Sequence, residues 1–174
     1  MNKALVVYHS RTGHTKRVAQ ALAERLLADL DEIKIVQPLD GLAGYAMCAI
    51  EAVAGLAPAL RPMHRSPAAY ELVVIGTPVW FWSLASPVRS WLETHPLKHR
   101  VAFFCTMGGS GANRVFATMA GLAGRAPVAT LALLEKELDG PFERKVDAFA
   151  ARLLAGTPER PARRAAHGRA LHAA

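Results

Sequence analysis

Four stretches of the chain are apolar almost without interruption: Ala4-Leu5-Val6-Val7-Tyr8, Leu72-Val73-Val74-Ile75, Val101-Ala102-Phe103-Phe104 and Val128-Ala129-Thr130-Leu131-Ala132-Leu133. Runs that do not alternate are what strands covered on both faces of a parallel sheet require. Ile33-Lys34-Ile35-Val36 alternates more and reads as an edge strand. Between these runs the period lengthens. Val18, Leu22 and Leu26, with Ala19 and Ala23 beside them, predict a helix over 14–28, and Leu42, Ala46, Ala49 and Val53 a second. Val88, Trp91 and Leu92 mark a third, entered through Ser86-Pro87 as a cap followed by proline. Val115, Met119 and Leu122 mark a fourth. Phe142, Val146, Phe149 and Leu153 mark a fifth, with Pro141 at its first position. Strand then helix, five times over, forces helices onto both faces through right-handed crossovers. The expected fold is a three-layer α/β/α sandwich around a five-stranded parallel sheet.

The 174 residues make one domain at roughly 150 per domain. That domain is expected over 1–156, with Pro58 to Pro67 as an irregular connection. Beyond Gly156 the chain is Ala/Arg-rich, so 157–174 reads as a basic, flexible tail. At 52% hydrophobic and 20% charged, the balance is that of an ordinary globule. The net charge is +7, of which the tail supplies +3 through Arg160, Arg163, Arg164 and Arg169 against Glu159. The body is therefore only mildly basic, and with no aromatic–basic interleaving a nucleic-acid partner is not expected. Cys48 and Cys105 sit in apolar stretches without metal-ligand spacing, which argues against a disulfide framework or a metal site. The chain opens on a segment too short for a signal peptide or a membrane span, so a cytoplasmic location without membrane contact is the expectation.

The chemistry concentrates where strands one, three and four meet their helices. Ser10-Arg11-Thr12-Gly13-His14-Thr15 alternates hydroxyls with a glycine at a helix start, where backbone N–H groups lack helical partners. Such a turn can cradle a phosphate monoester, or its hydroxyls can simply cap the helix. Neither a Gly-x-Gly-x-x-Gly nor a P-loop pattern occurs in this turn. After strand three, Gly76-Thr77-Pro78-Val79-Trp80-Phe81-Trp82-Ser83 packs three large aromatics into three positions. A flat ligand would give them a stacking partner, Trp80 first; hydrophobic filling is the plainer reading. After strand four, Cys105-Thr106-Met107-Gly108-Gly109-Ser110-Gly111 lets backbone approach a ligand closely or loops flexibly, and Cys105 packs as a small hydrophobe. In a sheet of order 2-1-3-4-5 those three strands surround the reversal point, where a flavin mononucleotide (FMN) is accommodated.

With those three motifs in that order, the chain resembles the flavodoxin-like FMN-binding family over nearly all of its length ahead of the tail. The resemblance implies that Ser10, Arg11, Thr12, Gly13, His14 and Thr15 line the phosphate loop. It implies that Pro78, Val79, Trp80 and Phe81 border the ring from one side, and Thr106, Met107, Gly108, Gly109 and Gly111 from the other. The chemistry would belong to FMN rather than to a catalytic side chain or a metal. Small carrier flavodoxins are typically acidic around the flavin, whereas the three loops here hold no Asp or Glu. An NAD(P)H-dependent oxidoreductase, taking hydride from NADH or NADPH and passing electrons to a quinone or similar small acceptor, is therefore expected ahead of a flavodoxin-type carrier serving protein redox partners. Ala-rich helix faces and Trp91 suit a homodimer interface and core packing equally.

Overall fold

The computed structural model describes residues 4–36 and 58–156. Its elements run β1 (Ala4–Tyr8), α1 (His14–Leu26), β2 (Asp29–Glu32), a 3-10 turn (Pro67–Ala69), β3 (Leu72–Trp80) and β4 (Ser83–Leu84). There follow α2 (Ser86–Thr94), β5 (Arg100–Met107), α3 (Ala112–Ala123), β6 (Thr130–Leu134), a second 3-10 turn (Glu135–Glu137) and α4 (Glu143–Ala155). The parallel strands lie in the order β2-β1-β3-β5-β6. Counted without the short antiparallel β4, this is the expected 2-1-3-4-5 sheet.

Alternate residues of each strand feed opposite layers. Leu5, Val7, Val73, Ile75 and Phe103 face α2 and α3, whose Val88, Trp91, Val115 and Met119 are buried against them. Val6, Tyr8, Val74 and Phe104 face α1 and α4, meeting Val18, Leu22, Val146 and Phe149. Each fully buried Leu or Phe contributes about 1.5–3 kcal/mol of transfer free energy. Central strands β1, β3 and β5 therefore read as unbroken apolar runs. None of the helices among the described residues is long and apolar enough to cross a membrane.

The edges depart from expectation. β2 occupies Asp29–Glu32, not Ile33–Val36. A strand this polar is tolerable because its carboxylates are satisfied. Buried Asp31 accepts backbone N–H bonds from His64 and Arg65, both 2.9 Å, and Asp29 accepts from the Tyr70 hydroxyl at 2.7 Å. Both bonds to Asp31 come from the proline-rich connection, which also forms an antiparallel bridge from Leu60 to Ile35. That connection thus lies beside the β2 edge. β6 begins at Thr130 rather than Val128 and buries only alternate residues, Leu131 and Leu133, because it is the opposite edge. Helix starts also shift. Ala85 O accepts the first bond of α2, so Ala85 is the cap and Pro87 stands second in the helix. Phe142 O accepts the first bond of α4, which leaves Pro141 outside the helix rather than at its first position. The helix expected around Leu42–Val53, Cys48 and the tail 157–174 lie outside the described residues.

Candidate functional site

The turn from β1 into α1 is built on Gly13, the cap residue, at φ +94. The helix's first bond runs from Arg17 N to Gly13 O, 3.0 Å, so the N–H groups of His14, Thr15 and Lys16 have no acceptor within the helix. Ser10 Oγ accepts from Gly13 N at 3.2 Å and so folds the turn on itself. Neither Ser10 nor Thr12 caps the helix by a side-chain bond. A methyl group added at Gly13 would meet no protein atom within 4 Å, so this side of the turn is open space fringed by free donors. The helix's positive end adds to its preference for an anion. Thr15 behaves differently from Ser10 and Thr12. Its hydroxyl is buried and lies 2.7 Å from that of Thr106, tying the turn to the carboxyl end of β5. Arg11 and Thr12 are exposed.

Strand β3 overruns the parallel sheet and folds back as a hairpin with β4, pairing Val79 with Leu84 and Trp80 with Ser83. Its two-residue turn is Phe81-Trp82, with φ of 47 and 57. Two positive φ values mark the type I′ pattern, which Gly and Asn ordinarily fill. Holding bulky aromatics there costs on the order of 1–3 kcal/mol each. Two contacts from the β5–α3 loop oppose that cost. Trp82 Nε1 donates to Ser110 Oγ at 2.9 Å, and Gly111, at φ +115, is tucked under Val79 and the Trp82 backbone. Trp82 remains 63% exposed and Phe81 42%, while Trp80 is half-buried. Gly108 and Gly109 are exposed, with Met107 half-buried before them.

The three loops are therefore one place. Thr15 touches Thr106, Pro78 pairs with Thr106 in the sheet, and Gly111 packs against the hairpin. His9 completes the circuit. Its ring stands edge-on to Trp80, 5.5 Å between centroids and 88° between planes, and its Nδ1 bonds Ile33 O at 2.9 Å. Cys105 is fully buried, and burial pushes its thiol up to about 12, so it supplies no nucleophile.

Two residues here escaped the sequence reading. One is His9, whose only signal was its place directly after β1. The other is Glu135, at the carboxyl end of β6, whose carboxylate lies 3.3 Å from His14 Nδ1. The three loops hold no acid, but a fourth brings one to His14 at the start of α1.

Burial drives the His9 pKa below its ordinary 6.5, with Arg11 adding to the effect and the Ile33 carbonyl and Glu32 opposing it. The folded state thus prefers the neutral ring. His9's contribution to stability is complete above about pH 6.5 and is lost as pH falls from there toward the lowered folded value. Chemical denaturation across pH 5 to 7 is expected to show stability rising with pH, and His9→Asn to flatten part of that slope. An unchanged slope in the variant would contradict the assignment.

Among curated proteins, none matches the sequence. Solved structures are similar in fold. A putative flavoprotein from Bacteroides eggerthii superposes with a TM-score of 0.71 at 24% identity, covering 86% of this chain and 96% of its own. A flavoprotein from Lactobacillus acidophilus, solved in complex with FMN, gives 0.63 at 23%, covering 80% and 97%. Oxidised flavodoxin 2 from Bacillus cereus gives 0.61 at 19%, covering 88% and 99%. At sequence level the family model described as Flavodoxin matches residues 3–127, most of the chain. The chain belongs to the flavodoxin family.

Proposed function

We propose that this flavodoxin-family FMN redox protein is an NAD(P)H-dependent oxidoreductase that delivers electrons to a quinone or similar small acceptor. FMN, when bound, supplies the redox chemistry of its ring, and the protein supplies binding, orientation and electrostatics. Ser10, Thr12 and the free N–H groups at the start of α1 would hold the phosphate, with the open space beside Gly13 leaving it room. The hairpin residues Pro78 to Phe81 and the loop from Thr106 to Gly111 would border the ring. Trp80, braced by His9, would stack on it and exclude water from that side. Backbone N–H groups of the glycine-rich loop would bond its polar edge.

The observation that carries the reductase reading is the charge of the cleft mouth. The three loops contain no carboxylate, and Glu135, which reaches them from the end of β6, is engaged with His14. A neutral-to-basic mouth suits an incoming phosphate-bearing dinucleotide. A flavodoxin-type carrier is the second reading, favoured by the exposure of Phe81 and Trp82, which a protein partner would cover. Anaerobic stopped-flow mixing of the FMN-loaded protein with NADH, and separately with NADPH, tells the two apart. The reductase reading expects loss of the oxidised flavin band with at least one. No bleaching with either, but reduction through an added flavodoxin reductase, would select the carrier.

A further inference from the structure

We infer that the amino-terminal edge of the sheet carries a second ligand site, separate from the cofactor cleft, that takes a small hydroxylated phosphomonoester. A cavity of about 490 Å3 opens there, lined by Lys98, His99, Arg100 and Arg125 with the single carboxylate of Glu71. These residues sit where β3 and β5 begin and where α3 gives way to β6. The candidate FMN loops follow the opposite ends of the same strands. Neither ligand site can therefore be an extension of the other.

The cations are placed rather than scattered. Gly124, at φ +65, ends α3 and turns the chain so that Arg125 swings across the start of β5. Arg125 Nη1 donates to His99 O at 2.6 Å, and Arg100 Nη2 donates to Leu153 O at 2.9 Å. Each guanidinium is thus held through one nitrogen by a neutral backbone carbonyl, which does not cancel its positive charge. Among the described residues no carboxylate forms an ion pair with Lys98, Arg100 or Arg125. Arg125 Nε is buried and has no acceptor among the described residues.

The lining also selects the ligand. Two arginines and a lysine lining one cavity favour a dianionic phosphate, which arginine can grip with paired N–H groups. The volume lies within the range of small-molecule sites, about 300–1,000 Å3, so a carbon skeleton can accompany the phosphate. Val101, Ala126 and Val128 give that skeleton an apolar wall, and Glu71 can accept from a hydroxyl while repelling a second anionic group. A nucleic-acid strand would need an extended groove with aromatic platforms for its bases, and the cavity has none.

The test is a titration of the full-length, FMN-loaded protein with ribose 5-phosphate in a phosphate-free buffer, followed by amide NMR. Because flavin already fills the cleft, the result does not depend on which redox partner the protein serves. Saturable shifts are expected at residues 98–101 and 125–128 and not at 10–15, with ribose alone producing none. Lys98 is exposed, so Lys98→Gln should keep the fold, and it is expected to weaken binding by about tenfold with an unchanged flavin spectrum. Arg125→Gln should weaken it at least as much. The proposal is overturned if millimolar ribose 5-phosphate gives no saturable shift, if ribose binds equally well, or if Lys98→Gln has no effect. It is equally overturned if the protein sediments with phosphatidylglycerol vesicles but ignores the soluble ester, which would make the edge a membrane contact.

Discussion

Gly76→Ala is expected to cost about 3 kcal/mol of folding stability, the upper end of what overpacking a close-packed core usually costs. Gly76 stands near the middle of β3, paired with Tyr8 on one side and Phe104 on the other. A Cβ placed there would lie 2.0 Å from the Phe104 ring. That ring is fully buried and held by the α1–α4 face of the core, so it has nowhere to retreat. Gly76 O also accepts from His9 N at 3.2 Å, so a displaced β3 would disturb the His9–Trp80 contact too. For a protein of this size, differential scanning calorimetry should show a melting temperature lower by roughly 6–12 °C. The compensating variant Gly76→Ala/Phe104→Leu should recover part of the loss. A Gly76→Ala protein that melts like the parent would show that the ring does not lie over the strand as described.

Gly111→Ala is expected to weaken FMN binding by about 10- to 100-fold while leaving the core intact, because it separates the two loops proposed to face the ring. The position has φ +115, where an L side chain is strained by about 1–2 kcal/mol. Its methyl group would also sit 3.0 Å from Val79 Cγ1 and 3.1 Å from Trp82 Cα. The hairpin must move away, loosening the Trp82–Ser110 bond that holds its turn. The melting temperature of the FMN-free protein should change by only a few degrees. Unaltered FMN affinity would contradict the proposed role of this junction.

How much of this was legible follows from what each residue needed. β1, β3 and β5 announced themselves because strands buried on both faces must be apolar throughout. The Asp29–Glu32 strand did not, since Asp29 is paired with the Arg65 guanidinium and the Tyr70 hydroxyl and Asp31 accepts backbone N–H bonds from His64 and Arg65, partners far along the chain. The β3–β4 hairpin was hidden for a different reason. Its turn carries Phe81 and Trp82 where the usual signal is Asn-Gly, and the contacts at Ser110 and Gly111 support that conformation. The three loops could be read as local motifs, and the sheet order then placed them side by side. The inward turn of Thr15, the bracing of Trp80 by His9 and the reach of Glu135 to His14 are contacts between distant segments, which no local pattern encodes.

The central claim is that one cleft holds a phosphate at the start of α1 and a flat ring between two loops. Flavin fluorescence, followed while FMN-free protein is added to FMN and in parallel to riboflavin, tests it most directly. The account predicts saturable quenching at one FMN per chain, and binding of riboflavin weaker by about two orders of magnitude, since the missing phosphate forfeits several charge-assisted hydrogen bonds. Equal affinity for the two flavins, or no quenching by either, would contradict it.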